Sequence, residues 1–227
     1  MMLPTVYLAA EDEPGLAVGR KLVAESPPLT VYREENAHGF GRLKNMAQNF
    51  QQMGTHGLPV LMITDLDERP CPSGMINEWV GRTPAPGFLF RICVREVEAW
   101  LLAHRVELAR FLGVALSRIP VAPESLCAPK AELIAISQHS RHRKIRMGFK
   151  PTGSATIGPD YNRLLGDFIH NSWSAEIASQ ASPSLARARN RLRLLAKSVT
   201  TGGHIEERWG MRSFQIVGKG VRCPGGI

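Results

Sequence analysis

Between residues 5 and 96 the apolar positions repeatedly change their spacing. TVYLAAE (5–11), PPLTVYREEN (27–36), LPVLMITDLD (58–67) and GFLFRICVRE (87–96) are rich in β-branched and aromatic residues and read as strands. Helical spacing separates them. EPGLAVGRKLVAES (13–26) brings Leu16, Val18, Leu22 and Val23 together, and GRLKNMAQNFQQMG (41–54) brings Leu43, Met46, Phe50 and Met53 together. CPSGMINEWVG (71–81) is a shorter helix. Strand and helix in alternation predict an α/β chain with a mostly parallel sheet flanked by helices.

The strands end in acids. Glu11 closes the first, Asp65 and Asp67 the third, and Glu96 the fourth, with Glu98 two residues on. In a parallel sheet these ends share one edge, where ligands bind. An extended backbone would turn Asp65 and Asp67 to the same side. Carboxylates gathered there are costly unless a cation compensates them. Hard oxygen ligands suit Mg²⁺ or Mn²⁺, so Glu11, Asp65 and Asp67 are candidate metal ligands. Glu13 also suits the first turn of a helix, where the macrodipole favours it.

After Glu96 the alternation stops. VEAWLLAHRVELARFLGV (97–114) predicts one helix, and APESLCAPKAELIAISQHS (122–140) is helical from about Lys130. RHRKIRMGFKPTGSATIGP (141–159) reads as a basic, then Gly/Ser/Thr-rich loop; YNRLLGDFIHNSW (161–173) and SPSLARARNRLRLLAKSV (182–199) predict two more helices. The organisation expected is an α/β core over 1–103, a basic helical extension packed on it over 104–199, and a Gly-rich tail over 200–227.

Charge follows that division. Residues 141–227 carry a net +10 and the first 140 a net −2, within a total of +8. A basic back half fits a polyanion and an acidic front half fits cations. Lys44, Arg141, Arg143, Lys144, Arg146 and Lys150 are the candidate phosphate contacts. Arg187, Arg189, Arg191 and Arg193 alternate, so only the pairs 187/191 and 189/193 share a helical face. No apolar run approaches the ~20 residues of a membrane span, and MMLPTVYLAAEDE lacks the basic start of a signal peptide. Cysteines at 71, 93, 127 and 223 form no CxxC pair and read as buried fillers. His104, His139 and His142 lack a ligand pattern. Trp79, Trp173 and Trp209 read as core packing before interface anchors. A cytoplasmic protein is expected.

Two acidic-edge folds fit less well. AAEDEPGL is similar to the acidic turn of response-regulator receivers, but those are about half this length and need a lysine ending a late strand. Haloacid-dehalogenase phosphatases carry DxD on the first strand, whereas here it follows the third.

The combination of EDE (11–13), GFGRLK (39–44), TDLD (64–67), VREVEAWLLA (94–103), the APK at 128–130, IGPDYN (157–162) and SPSLARARNRL (182–192) resembles a bacterial family with the topoisomerase–primase (Toprim) fold, often encoded beside an ATPase. The likeness covers about residues 5 to 199 and extends distantly to Toprim nucleases of the overcoming-lysogenization-defect type. It implies metal ligands at Glu11, Asp65 and Asp67, completed by Glu96 or Glu98, and a pair of Mg²⁺ or Mn²⁺ ions for phosphodiester cleavage of DNA. It also implies an ATPase partner in antiphage defence. Toprim chains often place glycine after the first glutamate. Here Glu11-Asp12-Glu13 leaves open which acid enters the site. The competing expectation is a non-catalytic module that binds an ATPase or nucleic acid.

Overall fold

The computed structural model describes residues 4–81 and 83–200, the side chains of 199 and 200 excepted. The expectations for the tail beyond residue 200, with Trp209 and Cys223, lie outside the described residues. The alternation read from the sequence is present: β1 (Thr5–Ala10), α1 (Glu13–Ala24), β2 (Thr30–Asn36), α2 (Phe40–Thr55), β3 (Val60–Asp65), α3 (Pro72–Val80) and β4 (Phe88–Cys93). The four strands form one parallel sheet in the order β2-β1-β3-β4. β1 and β3 lie inside it and are nearly continuously buried, as strands covered on both faces must be.

The two-residue period divides the core between the faces. Ala9, Met62, Phe88 and Phe90 pack with Leu43, Phe50 and Trp79 of α2 and α3. Leu8, Leu61, Ile63 and Leu89 pack with α1 and with the later helices. A Cβ on Gly19 would stand 2.4 Å from Leu8 Cδ1. Its absence lets α1 lie directly on β1.

The rest of the chain is helical: α4 (Val97–Leu102), α5 (Arg105–Leu112), α6 (Pro129–Ser137), α7 (Arg143–Phe149), α8 (Tyr161–Asn171), α9 (Ala175–Ala178) and α10 (Pro183–Thr200). α8 packs on α1, α10 on β4, and α4 on α6. One apolar cluster runs from Val6 to Ala196, joining sheet and helices. Among the described residues no helix is long and apolar enough to cross a membrane.

Two elements differ from the sequence expectation. The helix predicted over 97–114 is two, because His104 leaves helical geometry at φ −88°, ψ 61°, and its Nδ1 accepts the Ser174 N–H at 3.0 Å. The loop predicted over 141–159 contains α7. Ile145 and Phe149, four apart, are buried on one face, and Phe149 meets the Tyr161 ring edge-on at 5.4 Å.

Candidate functional site

The first strand delivers Glu11 and Asp12 to the carboxyl edge of the sheet. Glu11 accepts a hydrogen bond from the Thr64 hydroxyl at 3.2 Å. Burial first, then the Asp67 charge, raises its carboxyl above the usual range, with Thr64 opposing. Asp12 caps α1 by accepting the Gly15 N–H at 2.9 Å. Glu13 pairs with Arg20 at 2.8 Å, so the structure gives it the helix-start role.

β3 ends at Asp65, which is half-buried. Its Oδ1 accepts the Val97 N–H at 2.8 Å and so anchors the first turn of α4. Asp67 does not follow in extended form. The backbone turns left-handed there, φ 51°, a conformation aspartate tolerates better than most residues. The Leu66 and Asp67 N–H groups both donate to the Arg95 carbonyl at 2.9 Å, and the Arg95 guanidinium donates to the carbonyls of Asp67 and Arg69. Asp65 and Asp67 therefore do not share a strand face, contrary to the sequence expectation. Asp67 still acts on Glu11 through space and lies 3.6 Å from Arg69.

Glu98, rather than Glu96, faces Asp65. Glu98 is fully buried on the first turn of α4. Its Oε1 accepts the Tyr161 hydroxyl at 2.6 Å and lies 3.7 Å from the Lys130 ammonium. Its Oε2 is buried without a hydrogen-bond partner. Glu96 instead turns to α6, where its Oε2 accepts the Lys130 N–H at 2.7 Å. The separation arises because Glu96 is still extended, φ −133°, while Glu98 is already helical.

Lys130 is the lysine that faces these acids. Burial opposes its ammonium, but Glu98, Asp65, Asp12 and Glu96 outweigh that and raise its pKa. A unit pair at 4 Å contributes about 4 kcal/mol at an effective dielectric of 20, and a single lysine serves several carboxylates. It does not suffice. Burial pushes Glu98 up to about 7 even with Lys130 and Tyr161 opposing. Burial, then Glu98 and Asp12, raises Asp65 well above the usual carboxylate range. Lys130 and Tyr161 were visible in the sequence only as members of the APK and IGPDYN motifs. A lysine just after a helix-starting proline and a tyrosine at a helix start were the available signals.

A cavity of about 630 Å³ opens beside this cluster, lined by Asp67, Glu68, Arg69, Glu96, Cys127 and Ala128. The Arg69 guanidinium stacks 3.7 Å over the Phe40 ring at this mouth. Among the described residues no three His, Cys, Asp or Glu side chains stand in a ready metal-ligating group. The donor set is nonetheless chemically suited to a hard divalent ion. It consists of carboxylate oxygens, one of them orphaned, and carries more negative charge than Lys130 offsets.

The candidate phosphate contacts are dispersed. Lys44 is paired with Glu78. Arg141, Arg143, Lys144 and Lys150 are exposed on and around α7, while Arg146 donates to the Ser140 carbonyl. Trp79 and Trp173 are core residues. Cys93 is buried, but Cys71 is exposed and caps α3, its Sγ 3.4 Å from the Gly74 N–H. No family model, curated protein or solved structure matches the chain.

Proposed function

We propose that the protein is a Mg²⁺- or Mn²⁺-dependent, Toprim-type nuclease acting on DNA phosphodiester bonds. The observation that carries this is the gathering of Glu11, Asp12, Asp65 and Glu98 at one sheet edge, with Lys130 facing them and Glu98 Oε2 without a hydrogen-bond partner among the described residues. Glu11, Asp65 and Asp67 would hold the metal after their side chains turn toward it, with Glu98 behind them and Glu96 at the mouth. The bound ions would lower the pKa of water and neutralise charge on the phosphate.

The chain's own groups fit the remaining steps. A water oxygen attacks phosphorus, the P–O ester bond breaks, and the leaving oxygen takes a proton from solvent. The attacking water passes its proton to Glu11, which burial and the Asp67 charge make more basic than an ordinary carboxylate. Lys130 keeps positive charge at the edge throughout. The exposed basic residues around α7 would hold flanking phosphates.

The test is nicking of supercoiled plasmid with Mg²⁺ or Mn²⁺. Asp65→Asn should lower cleavage at least about 100-fold and leave the protein folded. Undiminished cleavage by this variant overturns the assignment. A second function, a non-catalytic module binding an ATPase partner or nucleic acid, is favoured by Lys130, which already places a cation among the acids. Absence of cleavage both alone and with such a partner would favour it.

A further inference from the structure

Two of the side chains around the 630 Å³ cavity, Glu68 and Arg69, have no part in the cleavage proposed above. Arg69 is fixed first by its main chain. Its N–H donates to the Leu66 carbonyl at 3.2 Å, and its own carbonyl accepts the Arg95 guanidinium at 3.0 Å. The Arg69 guanidinium then lies 3.7 Å from the centre of the Phe40 ring, a stacked cation–π contact. Phe40 covers one face of the guanidinium, so the cavity meets its edge or its other face. The Asp67 carboxylate is 3.6 Å away, too far for a hydrogen bond.

The cavity has the volume of a small-molecule site, and its charges decide which part of a nucleic acid enters. Asp67, Glu68 and Glu96 stand in the lining with one guanidinium, so a phosphate is repelled until a cation binds. A base is neutral. It stacks on an arginine plane as it does on an aromatic ring, and its exocyclic amine donates to a carboxylate. Of the three acids, Asp67 faces Arg69 and Glu96 accepts the Lys130 N–H. Glu68 is exposed and makes no hydrogen bond or ion pair among the described residues, which leaves it as the acceptor. A duplex keeps its bases paired and stacked, so only an unpaired base reaches such a cavity.

We infer that the cavity holds an unpaired base of a single-stranded nucleic acid, stacked on Arg69 and donating its exocyclic amine to Glu68. Phe40 is the positioning residue that holds the guanidinium plane. Thymine has no exocyclic amine, and its one ring N–H lies between two carbonyl oxygens, so cytosine binds better than thymine. The choice of nucleic acid rests on the phosphodiester function proposed above; the stacking platform rests on the Arg69–Phe40 geometry.

The test is binding by the full chain, in EDTA at mildly alkaline pH, of fluorescein-labelled oligo-dC, oligo-dT and a duplex of equal length. Oligo-dC should bind about fivefold tighter than oligo-dT, and the duplex more weakly than either. Arg69→Met should weaken oligo-dC binding about tenfold. Arg69→Lys keeps the charge but loses the plane and should weaken it nearly as much. Glu68→Met removes a negative charge, yet the preference for oligo-dC over oligo-dT should fall toward one. Each variant should keep the Tm of the wild type, since the turn is held by main-chain groups. No binding of oligo-dC by the wild type, equal binding of oligo-dC and oligo-dT, a duplex bound as tightly as the single strands, or undiminished binding by Arg69→Lys overturns the proposal. Displacement of oligo-dC by dCMP at an equal nucleotide concentration would make the cavity a mononucleotide site and overturn the strand assignment. With no metal present, failure here leaves the cleavage proposal standing, and a chain that binds single strands through Arg69 without cutting them leaves this one standing.

Discussion

The carboxyl edge and the β4–α10 flank each concentrate one sign of charge, and they differ in what answers it. At the edge, Lys130 reaches the acids from the start of α6, and Tyr161 donates to the most buried of them. On the flank, the Arg91 guanidinium is partly buried and its Nε has no hydrogen-bond partner among the described residues. The fold thus supplies part of the counter-charge at one region and encloses a donor without a partner at the other. The contrast separates two kinds of polar burial. A group with its partner is destabilising to disturb, whereas an unanswered charge is stabilising to remove.

The largest expected effect that tests this contrast is Lys130→Met. Breaking a buried ion pair costs about 3–5 kcal/mol. Lys130 retains 31% side-chain exposure, so a loss on the order of 2–3 kcal/mol is expected. For a chain of this size that lowers Tm by roughly 5–10 °C, measured by calorimetry in EDTA. Arg91→Met, which removes the enclosed, unpartnered Nε, should instead raise Tm in the same measurement. A Tm unchanged by Lys130→Met would erase the distinction between the regions.

A smaller effect follows from Glu98. Its carboxyl is pushed up to about 7 in the folded protein, against about 4.3 in an unfolded chain. Between those values the folded state binds more protons, so stability is greatest at the acidic end and falls as pH rises toward 7. Without metal, Tm should decline by a few degrees from about pH 5 to 7, and Glu98→Gln should flatten the decline. An equal slope in both proteins would show that Glu98 is ionised across the range.

The smallest effect belongs to Glu96→Gln. The amide oxygen can still accept the Lys130 N–H, so stability should change by less than about 0.5 kcal/mol. The informative readout is cleavage. If Glu96→Gln abolishes it while Glu98→Gln does not, the reacting side is the cavity mouth rather than the buried carboxylate.

The sheet and its helices were legible because each change from two-residue to helical spacing lies within a short stretch of chain. Asp65 at a strand end was legible for the same reason. The turn at Asp67 was not, since it depends on N–H bonds to Arg95, which is distant in sequence. Choosing between Glu96 and Glu98 required knowing where α4 begins. The break at His104 follows from an N–H seventy residues on. At 141–159, glycine and basic residues obscured the two apolar positions that form α7. Local spacing identified elements, while the partners of charged groups came from contacts between distant segments.

The tie between Glu96 and the Lys130 N–H has a consequence for biosynthesis. The edge is assembled from Glu11, Asp65, Glu98, Lys130 and Tyr161, so its parts emerge from the ribosome over most of the chain. A nascent chain that ends before residue 130 has the sheet's acids without the lysine and without the helix start that Glu96 holds. One that ends before residue 161 also lacks the hydroxyl that meets Glu98. The complete charge arrangement therefore arises only late in synthesis, and Glu96 and Glu98 meet Lys130 and Tyr161 only after the helical half has docked.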